Sequence, residues 1–380
     1  MNAVEPLLRH FAHLEDPRVA RTREHSLESI LFIAICAVIA GEENWVGIED
    51  YAEDNIEFFR QFLDLPHGIP SHDTLGRVFA ALDTQAFAEG FMRWMHVLNE
   101  TLATRGDTVA IDGKTMRRTL DKANKKSAIH LVSAFACSNR LVLGQVKVDD
   151  KSNEITAIPE LLRQLALTGC LVTLDAMGCQ KHIAKDITLA GADYILALKG
   201  NHGDLHRDVM DYFNYVDSGQ VKNEGVHQHQ DVDAGHGRIE DRLVQAVSST
   251  WHPDQEKWPQ LKAFVRVISE RHIGQECTKE VRYFLSSLPA DQVKRLAQGI
   301  RDHWSIENEL HWCLDMAFGE DYQRMREGDA APNMAVLNKI ALNLLRKEAS
   351  FKGGIKRKRH KAARGHEYLL KVLASAAGLG

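Results

Sequence analysis

Between Asp107 and Lys199 the sequence leaves the helical spacing of its first part for a succession of short apolar runs, and that switch limits the possible folds most severely. Val109 to Asp112, Ile129 to Phe135 and Leu141 to Val148 have strand length and strand composition. Short links join them, which predicts an antiparallel meander. A helix over Ala157 to Leu167 follows, with Ile158, Leu161, Leu162 and Leu165 on its inner face. Cys170 to Asp175 is again an apolar strand, then comes a helix from about Gln180 to Ala190, and Asp193 to Lys199 closes the series as a fifth strand. The order is β-β-β-α-β-α-β.

Two of these strands end in a carboxylate, Asp112 and Asp175. A charge at the end of a buried strand costs several kcal/mol to desolvate unless something positive compensates it. In a mixed sheet the first and fourth strands can be neighbours, which would bring the two acids together. Paired carboxylates repel, so either one takes a proton or a cation bridges them. Magnesium suits such a pair, because it is oxygen-liganded and is usually held by one or two carboxylates plus phosphates. The competing reading is that each aspartate merely caps the turn that follows its strand. Lys114 and Arg117, just after Asp112, and Lys199 and Asn201, at the end of the fifth strand, stand where they could touch a phosphate.

The order of elements is that of the ribonuclease-H-like fold, and the expected architecture is an α/β protein with a mixed sheet of that kind. Residues 1–100 read as an all-helical N-terminal domain. Ser26 caps an apolar helix ending at Gly41, and a second runs from about Asn44 to Leu63. Pro70 and Ser71 then open a helix carrying His72, Thr74 and Arg77, an arrangement that resembles a helix-turn-helix but is equally an ordinary helical hairpin. Residues 101–222 form the first part of the core and 223–288 a β-rich insertion, with strands near Arg238 to Val247, Leu261 to Ser269 and Lys279 to Ser286. Residues 289–350 form the second part, with a long helix from about Pro289 to Ala317, and 351–380 a basic C-terminal tail.

Composition narrows the function classes. The longest apolar run, Ile30 to Ala40, is about half a membrane span, so a buried helix and a cytoplasmic protein without membrane association are expected. No two of the six cysteines stand at CxxC spacing, which argues against a thiolate zinc site. Among His202, His206, His227, His229 and His236 no third metal ligand is placed by spacing. The net charge is -5, yet Arg346 to Arg364 holds nine Lys/Arg and one Glu. Lys356, Arg357, Lys358 and Arg359 are therefore expected to form a solvated arm on a DNA backbone.

In the long helix Glu307 has His303 and His311 one turn to either side, but Asp302, Glu309 and Asp315 compete with it on spacing alone. Here a resemblance adds information. Ala110-Ile111-Asp112-Gly113-Lys114-Thr115, Lys151 to Pro159, Thr173-Leu174-Asp175-Ala176-Met177, Tyr194 to Asn201, Arg301 to Asn308, His311-Trp312 and Leu314-Asp315 together resemble bacterial insertion-sequence transposases of the DDE type. More narrowly they are similar to the group that includes the H-repeat-associated proteins, and the likeness extends from about His10 to Arg346. The resemblance implies a catalytic and metal-binding triad of Asp112, Asp175 and Glu307, with two Mg2+ (or Mn2+) ions. It implies cleavage and strand transfer on double-stranded DNA, both the element's terminal repeats and a target, by a homodimer at least on DNA. Related elements carry a tyrosine, an arginine and a lysine around the glutamate, where this chain has Ile300, His303 and Leu314. Of these His303 is the expected phosphate donor in place of the arginine. An inactive DNA-binding remnant of a mobile element, and a nuclease without strand transfer, are the alternatives.

Overall fold

The helical N-terminal region contains α1 (Leu27–Ala40), α2 (Trp45–Asp54), α3 (His72–Ala81) and α4 (Thr84–Leu102). The computed structural model describes residues 5–102, 106–120, 127–149, 152–220, 225–235 and 237–377; Lys151 and His236 lie outside them. Helix α1 starts where the Ser26 hydroxyl accepts the Ser29 N–H at 3.0 Å, and it stops at Gly41, whose φ of 122° is open to glycine. Every residue from Ser29 to Ala40 is buried, which explains a helix that is apolar all round. Among the described residues no single helix is long and apolar enough to cross a membrane.

The middle of the chain supplies β1 (Thr108–Met116), β2 (Ile129–Ala136), β3 (Leu141–Lys147), α5 (Glu154–Arg163), β4 (Leu171–Leu174), α6 (Lys181–Leu189), β5 (Asp193–Leu198) and α7 (Gly203–Asp217). It continues with β6 (His227–Gly235), β7 (Arg238–Ser248), β8 (Ala263–Ile273) and β9 (Glu276–Ser286). All nine strands belong to one mixed sheet in the order β3-β2-β1-β4-β5-β9-β8-β7-β6. Strand β4 runs parallel to β1 and β5, and the other pairings are antiparallel.

The strands of the expected β-rich insertion form the outer half of the same sheet. It joins the inner half through β5 and β9, paired from Ile195↔Ser286 to Leu198↔Tyr283. The join is stabilised by burial: Val244, Val265 and Phe284 pack with Leu171 and Ile195 of the inner strands. The far ends of β7, β8 and β9 carry charged, exposed residues and project as hairpins.

The segment after the sheet is one helical rod in three parts, α8 (Val293–Ser305), a π-helical turn (Ile306–His311) and α9 (Trp312–Phe318). Helix α8 lies close to the sheet because Gly299 has no side chain; a Cβ there would meet Leu171 Cδ2 at 2.6 Å and Ile195 Cδ1 at 2.9 Å. Helix α10 (Ala330–Lys347), buried from Ala330 to Leu345, packs against α1, α3 and α4 and joins the helical region to the sheet. The chain closes with α11 (Ile355–Arg364) and α12 (His366–Ala374).

Candidate active site

The register of β1 against β4 sets the site. Ala110 lies beside Thr173 and Ile111 beside Leu174, so the next residues, Asp112 and Asp175, leave the parallel pair side by side. Side chains alternate along a strand, and adjacent strands lie about 4.8 Å apart. Thr108, Ala110 and Asp112 therefore share one face with Leu171 and Thr173. That face is turned to α8, as the bond from Thr108 Oγ1 to Asp302 Oδ2 at 2.8 Å shows. At its open end is a cavity of about 440 Å3 whose lining includes Asp112, Asp175, Lys199, His303, Trp304 and Glu307.

The acids of the helical rod are sorted by their partners. Asp302 accepts from Thr108 and Gln298, Glu309 pairs with Arg140 at 3.0 Å, and Asp315 pairs with Lys114. Glu307 is exposed to the cavity and has no ion-pair partner among the described residues. It sits in the π turn, where the Trp312 N–H donates to the Glu307 carbonyl. Single π turns inside α-helices are concentrated at functional sites. Ile306 and Leu310, fully buried, anchor this turn.

Burial raises the pKa of Asp175, and nearby Glu154 and Asp112 raise it further against the N–H groups of Gly178 and Met177. Those two amides, at 3.1 and 2.9 Å from Oδ1, mean that Asp175 caps the turn that follows its strand, while it also lines the cavity. His303 Nδ1 lies 3.0 Å from Thr173 Oγ1, and burial lowers its pKa although Asp112 and Asp175 oppose the shift. No three His, Cys, Asp or Glu side chains among the described residues converge on one point as a ready-made metal cage. The acids line a cavity open to a further ligand.

A family match covers most of the chain: residues 103–344 match the Transposase DDE domain, and residues 8–95 match the region named DDE_Tnp_1-associated. The chain belongs to the DDE transposases of bacterial insertion sequences. It is 42% identical over 383 residues to "Putative transposase YncI" of Escherichia coli O157:H7, covering 100% of this chain and 97% of that protein. It is 40% identical over 379 residues to "H repeat-associated putative transposase YhhI" of Escherichia coli strain K12, covering 98% and 99%.

Several residues expected on the DNA are placed otherwise in this transposase. Lys114 is not free for phosphate: its Nζ bonds Asp315 and Glu320, the latter at 3.0 Å. Burial disfavours its charge, but Glu320 and Asp315 outweigh that and raise its pKa. The bond ties β1 to the helical rod just beyond Asp112 and Glu307. Lys358 and Arg359 are likewise no solvated arm, being 7% and 2% exposed. Lys358 Nζ donates to Leu345 O at 2.7 Å, and Arg359 donates to Val38 O at 2.9 and 3.1 Å and to Ala317 O. They satisfy carbonyls in the last turns of helices, a role basic side chains commonly take. Lys356 and Arg357 of the same helix remain exposed. Arg117 is exposed in a short turn after β1, away from the cavity lining. Lys199 is exposed at the cavity rim. Asn201 donates to Ala176 O at 2.7 Å and so steadies the loop after Asp175.

Two contacts around the centre were not foreseen from the sequence. His311, noted one turn from Glu307, lies with its Nε2 3.3 Å from Asp112 Oδ2. On the opposite face of β1, Thr115 Oγ1, His130 and Glu154 form a hydrogen-bonded chain with contacts of 2.8 and 2.7 Å. Glu154 and His130 press on the backbone at Gly113, where any Cβ would collide with both.

Proposed function

We propose that this transposase is a metal-dependent DNA strand-cleaving and strand-transfer enzyme built on a ribonuclease-H-like core, with Asp112, Asp175 and Glu307 as its catalytic carboxylates. The observation that carries the reading is that these three acids, from β1, β4 and the π turn, line one cavity, while the competing acids of the rod are taken up by other partners. The chemistry of the donors suits hard divalent cations: they are carboxylate oxygens, and the Asp175 charge is disfavoured as it stands. When bound, two Mg2+ or Mn2+ ions would activate the attacking oxygen and stabilise the leaving 3′ oxygen of an in-line displacement.

The protein's own contribution is placement. Asp112 and Asp175 are held in register by parallel pairing, and Glu307 is brought to them by the close packing of α8 at Gly299. Lys199 at the rim would meet a DNA phosphate, and the exposed Lys356, Arg357 and Arg117 would add backbone contacts that weaken as salt rises. His303, half-buried against Thr173, would present its remaining ring nitrogen to the cavity. Two DNA ends must be held for transposition, so the working unit on DNA is a pair of chains.

The test is strand cleavage of a plasmid carrying the element's ends, in Mg2+, by the wild type and Asp112→Asn. Loss of cleavage and joining in the variant, with DNA retention kept, is expected. Full cleavage by the variant would overturn the site. A wild type that binds but does not cut would favour the remnant reading, and products of hydrolysis without joining would favour a nuclease.

A further inference from the structure

We propose that the cleft between the helical N-terminal region and the segment that follows the rod is a dock for the backbone of the element's own end, separate from the catalytic cavity. This rests on the DNA strand-transfer reading above and deepens it. The cleft encloses about 840 Å3. One wall is the first turns of α2 and α3, and the other is Gly319 with Tyr322 to Glu327. Both ends of the second wall are fixed. Gly319 fits against Glu43, where a Cβ would meet the carboxylate, and Gly328 lies too close to the Ala80 carbonyl to carry a side chain. The Asp329 N–H donates to that same carbonyl at 2.9 Å.

The charge of the lining selects the occupant. Arg77, Arg324 and Arg326 line the cleft, are exposed, and have no ion-pair partner among the described residues. Of the acids there, Glu43 lies 3.5 Å from Arg359 and Asp73 lies 3.6 Å from His72, which leaves Glu327. Guanidinium groups suit phosphate, and the N-terminal ends of α2 and α3 add partial positive charge. A second copy of the chain suits the cleft less, because it would bury these guanidiniums unpaired. Gln323 is an independent sign of a ligand. It lines the cleft, is 6% exposed, and neither its amide nitrogen nor its amide oxygen has a hydrogen-bond partner. Such an amide is costly to bury unless something further completes it, and its N–H groups can donate to a phosphate oxygen. Tyr322, 67% exposed, carries the Arg118 guanidinium 4.8 Å over its ring centre and extends the basic surface towards the end of β1. From Glu307 to Gly319 the rod advances about 18 Å, the axial length of about five base pairs. One duplex can therefore have its cut phosphate at the acids and its backbone in the cleft. The element side is the constant part of every end this transposase meets, so a fixed dock belongs there.

The experiment is a fluorescence-anisotropy titration of the full-length protein, without metal and over a range of salt, on two duplexes of equal length. One keeps the element's end well past the cleft; the other stops about three base pairs inside the cut, short of it, and has longer flanking DNA. Arg324→Ala and Arg326→Ala made together should lower the slope of log affinity against log salt by about 2 on the first duplex and leave it unchanged on the second. Gln323→Leu should weaken binding to the first duplex about tenfold at an unchanged slope, with Tm kept or raised because an unsatisfied amide is gone. A full slope in the double arginine variant, an equal loss on both duplexes, or a Gln323→Leu variant that loses Tm but not affinity overturns the dock. If the wild type still cuts the plasmid in that case, the catalytic reading stands. A wild type that holds neither duplex overturns the DNA reading itself, and the dock with it.

Discussion

Replacing Arg359 with methionine tests whether the basic C-terminal segment is structure or DNA-binding arm. The substitution keeps most of the aliphatic stem and removes the guanidinium, which stacks 4.2 Å from the Phe318 ring centre and donates to Val38 O, Glu42 O and Ala317 O. Leaving two of these buried carbonyls short of a donor costs about 1–3 kcal/mol each. Loss of the ring contact adds roughly 1 kcal/mol. Against this, the guanidinium is itself costly to bury, as its pKa, pulled down to about 10 by desolvation, shows. Relief of that cost recovers about half of the loss, so a net destabilisation of about 2–4 kcal/mol is expected. For a protein of 380 residues that corresponds to a fall in Tm of roughly 3–5 °C. The assay is thermal unfolding followed by circular dichroism, with the exposed Arg357→Ala as control. A Tm within 1 °C of wild type, together with weakened DNA retention, would refute the reasoning and restore the solvated arm.

Three further outcomes follow from the same geometry. Lys339 is fully buried and its pKa is lowered to about 8, chiefly by desolvation, so between about pH 8 and 10.5 the unfolded chain binds more protons than the folded one. Wild type should therefore gain stability over Lys339→Met as pH rises through that window, on the order of 3 kcal/mol, and a difference that stays flat with pH would contradict the burial. Gly113→Ala should push Glu154 and His130 from β1 and shift the strand end that carries Asp112, lowering cleavage about 100-fold with little change in Tm; unaltered cleavage would show that the close approach is not needed. Lys114→Met should uncouple β1 from the rod and leave Glu320 poorly compensated, at a cost of about 3–5 kcal/mol in unfolding experiments, and a neutral effect would mean that the Lys114 bonds are incidental.

The inner sheet was legible because its strands are short apolar runs with clear turns. The neighbourhood of Asp112 and Asp175 was legible too, since each ends such a run. That the β-rich insertion extends the inner sheet was not legible, because strand pairing between β5 and β9 is a tertiary event that leaves no local mark at Ile195 or Tyr283. The π turn was invisible for a related reason: it inserts itself into a helix without altering the apolar spacing of Ile306 and Leu310. Among Asp302, Glu307, Glu309 and Asp315, helical spacing alone had no means of choosing, because what separates them is which of Thr108, Arg140 and Lys114 reaches each acid. The basic segment misled because charge was counted without geometry. Lys358, Arg359 and Ala362 form the buried side of α11, and long basic side chains can bury their stems while their heads find carbonyls.

The central claim is that Glu307, on a helical rod remote in sequence from Asp112 and Asp175, completes their active centre. Its most direct test is Glu307→Gln in the plasmid cleavage assay, run in Mg2+ and Mn2+ beside Glu309→Gln, with folding checked by thermal unfolding. The account predicts a loss of at least about 1000-fold for Glu307→Gln at an unchanged Tm, on the scale of removing one essential electrostatic group, and near wild-type cleavage for Glu309→Gln. Cleavage by Glu307→Gln within tenfold of wild type, or the larger loss in Glu309→Gln, would contradict it.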